Sequence, residues 1–497
     1  MENIGFTDQI NKIHEPEEKT KPLYSLKGTF MFHFKKKNKT KAQFGGSAYQ
    51  ESAAREQSRQ KTHPKFQKTL TKRRWIIALA YVGALTGAGL ASGQELLQYF
   101  VTFGYSGLAA VCMVGLLHWA FGGITVALGS YFMARDQNQV LDQIGPAIVT
   151  KILDLGLMVD CFVLGFVMIA GAGSNLNQQF GLPIWMGALL CAVLVFVCSL
   201  FDFQKVSVVI GSFTPFIVGF ISLAAIYVFF FTPIDFSSSV RITKTVPTTL
   251  PNVWISLTNY FAMCLMTGAS IAFVLGGEEY DSKTAYQGGR IGGFLVGLVT
   301  VLETFTIFLS ISYVKDSDLP MLTLLTRINA KLGLVMAILI YGMIFNTAIS
   351  LYYALARRLT GKKPQLFIPA MGALVSIGYG LSFFGFKALV SIVYPLIGYV
   401  GFILIAALLI SWAQSKQKVQ WEWKRRRSIF RLMTAQPEEG SENEKKNREN
   451  VRLLIESSPA DAKELQKSAE EAVQEYRKTM KILGEKQGEK EENRKEK

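Results

Sequence analysis

The chain has 497 residues, of which 50% are hydrophobic and only 18% charged, yet it carries a formal net charge of +16. Most of the charge lies before Trp75 and after Trp412, and with a mean hydropathy of +0.25 the stretch between is too apolar for a water-exposed domain. No folded soluble domain is left to present a groove-reading element, so nucleic acid is not an expected partner; nor is there a P-loop, nucleophile elbow, HExxH or CxxC pair, so neither an enzyme nor an ATP-driven pump is expected.

In chain order, residues 1–70 are polar and basic, with a run at Lys35-Lys36-Lys37-Asn38-Lys39, and read as a disordered cytosolic arm. No short apolar stretch with a cleavage site stands at the start, so no cleaved signal peptide is expected. Residues 71–413 read as the membrane core, with room for about ten spans of ~20–28 residues. The first set of spans is Trp75–Val101, Ser106–Ala134, Ile152–Phe180, Pro183–Phe201 and Val206–Phe231, making a repeat over 75–231. The second set is Asn252–Gly277, Gly292–Val314, Leu332–Ala356, Leu366–Phe384 and Leu389–Ala413, making a repeat over 252–413. An odd number of spans per repeat inverts the second relative to the first. The five cysteines, Cys112, Cys161, Cys191, Cys198 and Cys264, all fall inside spans and read as small packing residues.

Basic residues set the orientation. Lys72-Arg73-Arg74, Arg135, Lys205, Lys283, Arg290, Arg357-Arg358, Lys362-Lys363 and Lys424 to Arg427 fall on the side of the N-terminus. The bias places both termini in the cytoplasm of a bacterial inner membrane protein. Of the longer loops opposite, Lys315–Lys331 contains the amphipathic piece Pro320–Arg327, a cap for an external vestibule. Residues 414–497 form a charged cytosolic tail. It opens with the basic-aromatic segment Trp421–Phe430, expected to lie on the anionic inner leaflet. An amphipathic helix over 458–484 follows, with Ser458-Pro459-Ala460-Asp461 as its capping sequence. That helix is a means of homo-oligomer formation or of binding a protein partner, or it packs on the core.

The first span and the sixth carry the same interruption: Thr86-Gly87-Ala88-Gly89 and Thr267-Gly268-Ala269-Ser270. Glycine leaves helical φ/ψ cheaply. In lipid the backbone groups so freed are tolerated only around a protected cavity. Paired interruptions in two halves predict discontinuous first and sixth helices meeting at a midplane site. No Lys or Arg lies well inside a span, so a buried substrate carboxylate must rely on half-helix amides. Gly87, Gly89 and Gly93 are expected to expose them, with Ser92 as a further donor. Thr267, Gly268 and Ser270 would offer carbonyls and hydroxyls to an ammonium or an ion. A small zwitterion fits this set; close helix packing is the competing role of these glycines.

Acids inside spans are expensive and face a cavity or a partner. Glu303 is the deepest and a proton or cation site, or a neutral acid bonded to a neighbouring helix; Asp160 is closer to its span's end; Glu95 follows the first break. His118 reads as a buried, hydrogen-bonded histidine. In the eighth span Asn346 and Thr347 supply oxygens for Na⁺, or bond between helices. No other metal or cofactor is expected, and membrane lipid is the surrounding partner.

The stretch Gly87-Ala88-Gly89-Leu90-Ala91-Ser92-Gly93-Gln94-Glu95 resembles the opening helix of the bacterial YkvI-like membrane proteins, relatives of the amino acid–polyamine–organocation transporters. The resemblance extends loosely over Trp75 to Trp412 and leaves out both tails. It implies an all-α polytopic, LeuT-like five-plus-five inverted repeat, as in sodium- and proton-coupled amino-acid carriers. It also implies that Asn346-Thr347 stands where sodium-coupled members place hydroxyl ligands. The expected function is therefore secondary active transport of a small zwitterionic solute, an amino acid or related amine, by alternating access with Na⁺ or H⁺ coupling. The rival is a non-transporting receptor for such a ligand on the same fold. A passive channel is disfavoured, since no ring of repeated polar positions lines a pore.

Overall fold

The computed structural model describes residues 64–201, 214–233, 235–361, 363–435 and 441–495, and among them it contains helices and no strand. The expected arm over 1–70 lies outside the described residues up to position 63, as does the start of the fifth expected span. The first span is divided among α1 (Pro64–Leu85), α2 (Ala88–Ser92) and α3 (Gln94–Tyr99). Then come α4 (Tyr105–Phe132), the short α5 (Gln137–Ile144), α6 (Ala147–Phe180), α7 (Ile184–Cys198), α8 (Thr214–Phe231) and the loop helix α9 (Phe236–Thr243). The second half comprises α10 (Val253–Gly277), α11 (Ser282–Leu309), α12 (Ile311–Val314), α13 (Pro320–Ile328), α14 (Ala330–Thr360), α15 (Phe367–Ser382) and α16 (Phe386–Thr434). The tail adds α17 (Glu442–Glu456) and α18 (Ala462–Lys495).

Eight helices among the described residues are long and apolar enough to cross a membrane. Two further spans expected from the sequence are the divided first helix and α7, which is shorter. The chain is a multi-pass membrane protein. Large apolar side chains such as Leu116, Phe230 and Leu396 stay on its outer surface, where lipid replaces water. Side-chain caps start several helices: Asn252 accepts from Trp254 and Ile255 amides at 3.1 and 2.9 Å, Asp281 caps α11 and Asn329 caps α14.

Some of the packing recurs when the two halves are exchanged. The first helix packs on the seventh, α11, as the sixth, α10, packs on the second, α4. α4 and α11 pack along each other, and so do the third and eighth helices, α6 and α14. Small residues let α4 and α11 approach: a Cβ built on Gly115 would stand 3.5 Å from the Gly297 Cα.

Two expectations are corrected. The sixth helix is not discontinuous: α10 runs unbroken from Val253 to Gly277, through Thr267-Gly268-Ala269-Ser270. Thr267 Oγ1 lies 3.2 Å from the Met263 carbonyl one turn back, the same placement that Thr86 has toward Val82, so this contact does not decide whether the helix continues. Gly268 is small because Leu85, the last residue of α1, fills the space of its missing Cβ. The basic-aromatic segment does not lie on the membrane surface. It continues the last span as one helix to Thr434, with Glu422 and Arg426 each only 1% exposed.

Candidate functional site

The break in the first helix is real. α1 stops at Leu85; Thr86 returns its hydroxyl to the Val82 carbonyl at 2.7 Å, and Gly87 adopts an extended conformation (φ −77°, ψ −172°) before α2. α2 ends after one turn at Gly93, whose φ of 77° lies in the left-handed region. Gly93 donates its amide to the Gly89 and Leu90 carbonyls. Ser92 donates its hydroxyl to Gly89 O at 2.7 Å and accepts from the Gln94 amide at 3.2 Å. The Gly93 amide and the Ser92 hydroxyl are thus engaged within the turn rather than held out as donors, because a one-residue left-handed stop needs those bonds to close.

What the turn does accomplish is to seat two carboxyl groups. The Glu95 carboxyl occupies the space that a side chain on Gly89 would fill. A Cβ on Gly93 would come within 3.3 Å of Glu303 Oε1, 2.7 Å of Ile307 Cδ1 and 3.0 Å of Met321 Cγ. Met321 comes from α13, the amphipathic piece expected to cap a vestibule. Its Met321, Leu322 and Leu325 are fully buried, so it is part of the core above the break. Glu303 is fully buried with neither carboxyl oxygen hydrogen-bonded, and lies close enough to Glu95 for their charges to interact.

Tyr394, on α16, is fully buried, as is the aromatic pair Tyr99 and Tyr260 nearby on α3 and α10. Asp160, fully buried on α6, accepts from Thr267 Oγ1 at 3.5 Å, while its Oδ1 has no partner. Glu303 of the seventh helix and Glu95 of the broken first thus meet at the turn, and Asp160 of the third pairs with Thr267 of the sixth. Below them Tyr99 donates to Asn259 Oδ1 at 3.0 Å, and Asn259 Nδ2 donates to the Pro395 carbonyl at 2.9 Å. Pro395 lacks the N–H that would serve Ser391, and Thr249 Oγ1 donates to that carbonyl instead.

The eighth helix approaches from the other side. Thr347 Oγ1 lies 4.0 Å from where a Gly87 Cβ would stand, and it donates to Met343 O at 2.9 Å. That donation leaves oxygen lone pairs on the side of the break. Asn346 Oδ1 is buried without a partner. Ala269 is buried beside Gly268, and Ser270 is half-buried on the same continuous helix, away from any interruption. His118 packs its ring on Phe261, and its Nε2 is buried without a partner, so the expected hydrogen bond at that nitrogen is absent. Tyr394, Tyr99 and Asn259 were not singled out from the sequence. A tyrosine beside a helical proline, Tyr394-Pro395, is the only local signal they offered.

A helical membrane protein built around a broken first helix and a buried pair of acids is the class that the fold and site define. Its chain is homologous to two Bacillus subtilis proteins of uncharacterised role. It is 24% identical to the membrane protein YkvI over 349 residues, 69% of this chain and 97% of that one. It is 23% identical to YyaD over 347 residues, 98% of that protein. No protein-family profile matches. Among solved structures it is similar to inward-facing Mhp1 (TM-score 0.43, 9% identity, 68% of this chain and 75% of that chain). It is also similar to a variant of the Eremococcus coleocola manganese transporter (TM-score 0.39, 12% identity, 85% and 95%).

Proposed function

We propose that this chain is a secondary active transporter of a bacterial inner membrane, with both termini cytoplasmic, that carries a small zwitterionic solute by alternating access with H⁺ or Na⁺ coupling. An amino acid or a related amine is the substrate class. The observation that carries the reading is the pair of buried acids at the broken first helix, where neither Glu303 oxygen has a hydrogen-bond partner. Unpaired carboxylates cannot remain charged together in a low-dielectric interior, so they hold protons or a cation until the site opens to water. An ammonium group is the part of a zwitterion that these acids attract, and its carboxylate would turn toward the backbone of α2. Asn346 and Thr347 supply the Na⁺ ligands if the driving ion is sodium; Glu95 and Glu303 supply the exchangeable proton if it is H⁺.

Thermal stabilisation of the purified protein by each amino acid, with and without Na⁺ and across pH, tests the binding half of this reading. A ligand at 100 times its Kd stabilises by ~2.7 kcal/mol, which a melting curve resolves. A second reading, a non-transporting receptor, is favoured by the helical tail docked on the core. It predicts the same stabilisation with no uptake.

A further inference from the structure

We infer that the C-terminal helices are a clamp that holds the core closed on the face where they dock, and that the core opens there only when the clamp lets go. The inference rests on the transport reading for its meaning, but its test reads conformation and not transport.

The docking is specific rather than a loose contact of charged helices. Arg426, 1% exposed, donates Nη2 to the Tyr131 carbonyl at 3.0 Å and Nη1 to the Tyr280 carbonyl at 3.1 Å. Its Nε donates to Glu422 at 3.0 Å, while the Tyr280 hydroxyl donates back to the Arg426 carbonyl at 2.7 Å. One guanidinium therefore joins the end of the second helix to the loop between the sixth and seventh. Ser458 donates to Glu422 at 2.6 Å and so brings the returning strand of tail onto the same pair. Around them Met133 and Tyr280 of the core pack with Ile429, Ile455, Leu465 and Ala469 of the tail as a separate apolar cluster. Met133 takes the left-handed conformation (φ 50°), the one such non-glycine among the described residues, and is buried in that cluster.

Two outer contacts extend the clamp across the moving parts. Arg73, on α1 ahead of the break, bridges Glu279 of the same loop and Glu475 of α18. Arg135, after the second helix, pairs with Glu464 of α18. Burial raises the Glu279 carboxyl above its ordinary value, and the Arg73 guanidinium works against that rise. Opening this face requires the first helix, the end of the second and the sixth–seventh loop to separate. α18 and Arg426 tie all three together, so the open state must break those bonds.

Two tail-release variants, each also carrying Glu422→Leu and Arg426→Met, are compared with the intact chain in lipid nanodiscs: Glu464→Lys with Glu475→Lys, and a chain ending after Ser457. Spin labels at Lys72→Cys and Lys151→Cys report the docking face, and labels at Pro251→Cys and Lys331→Cys report the opposite face, in a background with the five cysteines replaced. Release is expected to shift the docking-face pair to longer distances and the opposite pair to shorter ones. Arg135→Glu with Glu464→Arg, with Arg73, Glu475, Glu422 and Arg426 intact, should keep the distances of the intact chain. Hydrogen exchange on chains with all native cysteines gives the second measurement. Release should speed exchange around residues 276–284 and slow it around residues 244–252. Docking-face changes with an unmoved opposite face, in both measurements, would show a tail that is attached without gating and would overturn the inference.

Discussion

Gly93 and Glu303 show how single residues set up the site. Gly93 holds φ at 77°, where an L side chain costs roughly 1–2 kcal/mol, and a Cβ there would press on Ile307 at 2.7 Å. Gly93→Ala is therefore expected to lower stability by about 1–3 kcal/mol, read as a fall in melting temperature, and to weaken ligand stabilisation. Gly89→Ala puts a methyl where the Glu95 carboxyl sits, so it should abolish ligand binding while the protein still inserts. Glu303→Gln keeps the shape and removes the ionisable proton. If H⁺ drives transport, uptake by this variant should lose its dependence on pH. If Na⁺ drives it, Asn346→Ala and Thr347→Ala should instead raise the Na⁺ concentration needed for half-maximal uptake. The first break was legible in the sequence because glycines at 87, 89 and 93 let the backbone leave helical φ/ψ cheaply, although close helix packing was a competing role for them. Tyr394 was not, because it stands on the tenth span, where no local pattern records its burial.

At the scale of elements, the same tetrapeptide has two outcomes. Thr86-Gly87-Ala88-Gly89 ends a helix, whereas Thr267-Gly268-Ala269-Ser270 lies within one. The difference is in the neighbours: Gly268 makes room for Leu85, which is the residue at which the first helix stops. Gly268→Ala should cost about 1–3 kcal/mol, and Leu85→Ala in the same chain should recover part of it, read by thermal melts of the single and double variants. Two independent losses would show that Gly268 serves something other than that contact. The extension of α16 makes a second element-scale case. Glu422 and Arg426 stand one helical turn apart and are both buried. Arg426→Met leaves Glu422 buried without that partner, an expected loss of about 3–5 kcal/mol, whereas Glu422→Leu with Arg426→Met should be markedly milder. The basic-aromatic composition of this segment pointed to lipid, and it misled because composition does not show which cation turns toward the core.

Over the whole molecule, the helical membrane core was readable, since apolar runs of membrane length need no tertiary information. The start of the sixth helix at Asn252 was readable, whereas the seventh begins at Ser282, ten residues before the expected Gly292, because Asp281 caps it there. The docked tail was only one of several fates open to an amphipathic helix, since its partner surface is made by Tyr131, Met133 and Tyr280 from distant parts of the chain. The account's central claim is coupled transport at the acid-lined break. Its most direct test is uptake of an equimolar radiolabelled mixture of the twenty amino acids into proteoliposomes, under an inward H⁺ gradient, an inward Na⁺ gradient and neither. The account predicts accumulation above equilibrium under one of the two gradients, lost in Gly89→Ala. No accumulation under either gradient, in vesicles whose protein is folded and still stabilised by an amino acid, would contradict it and leave a receptor.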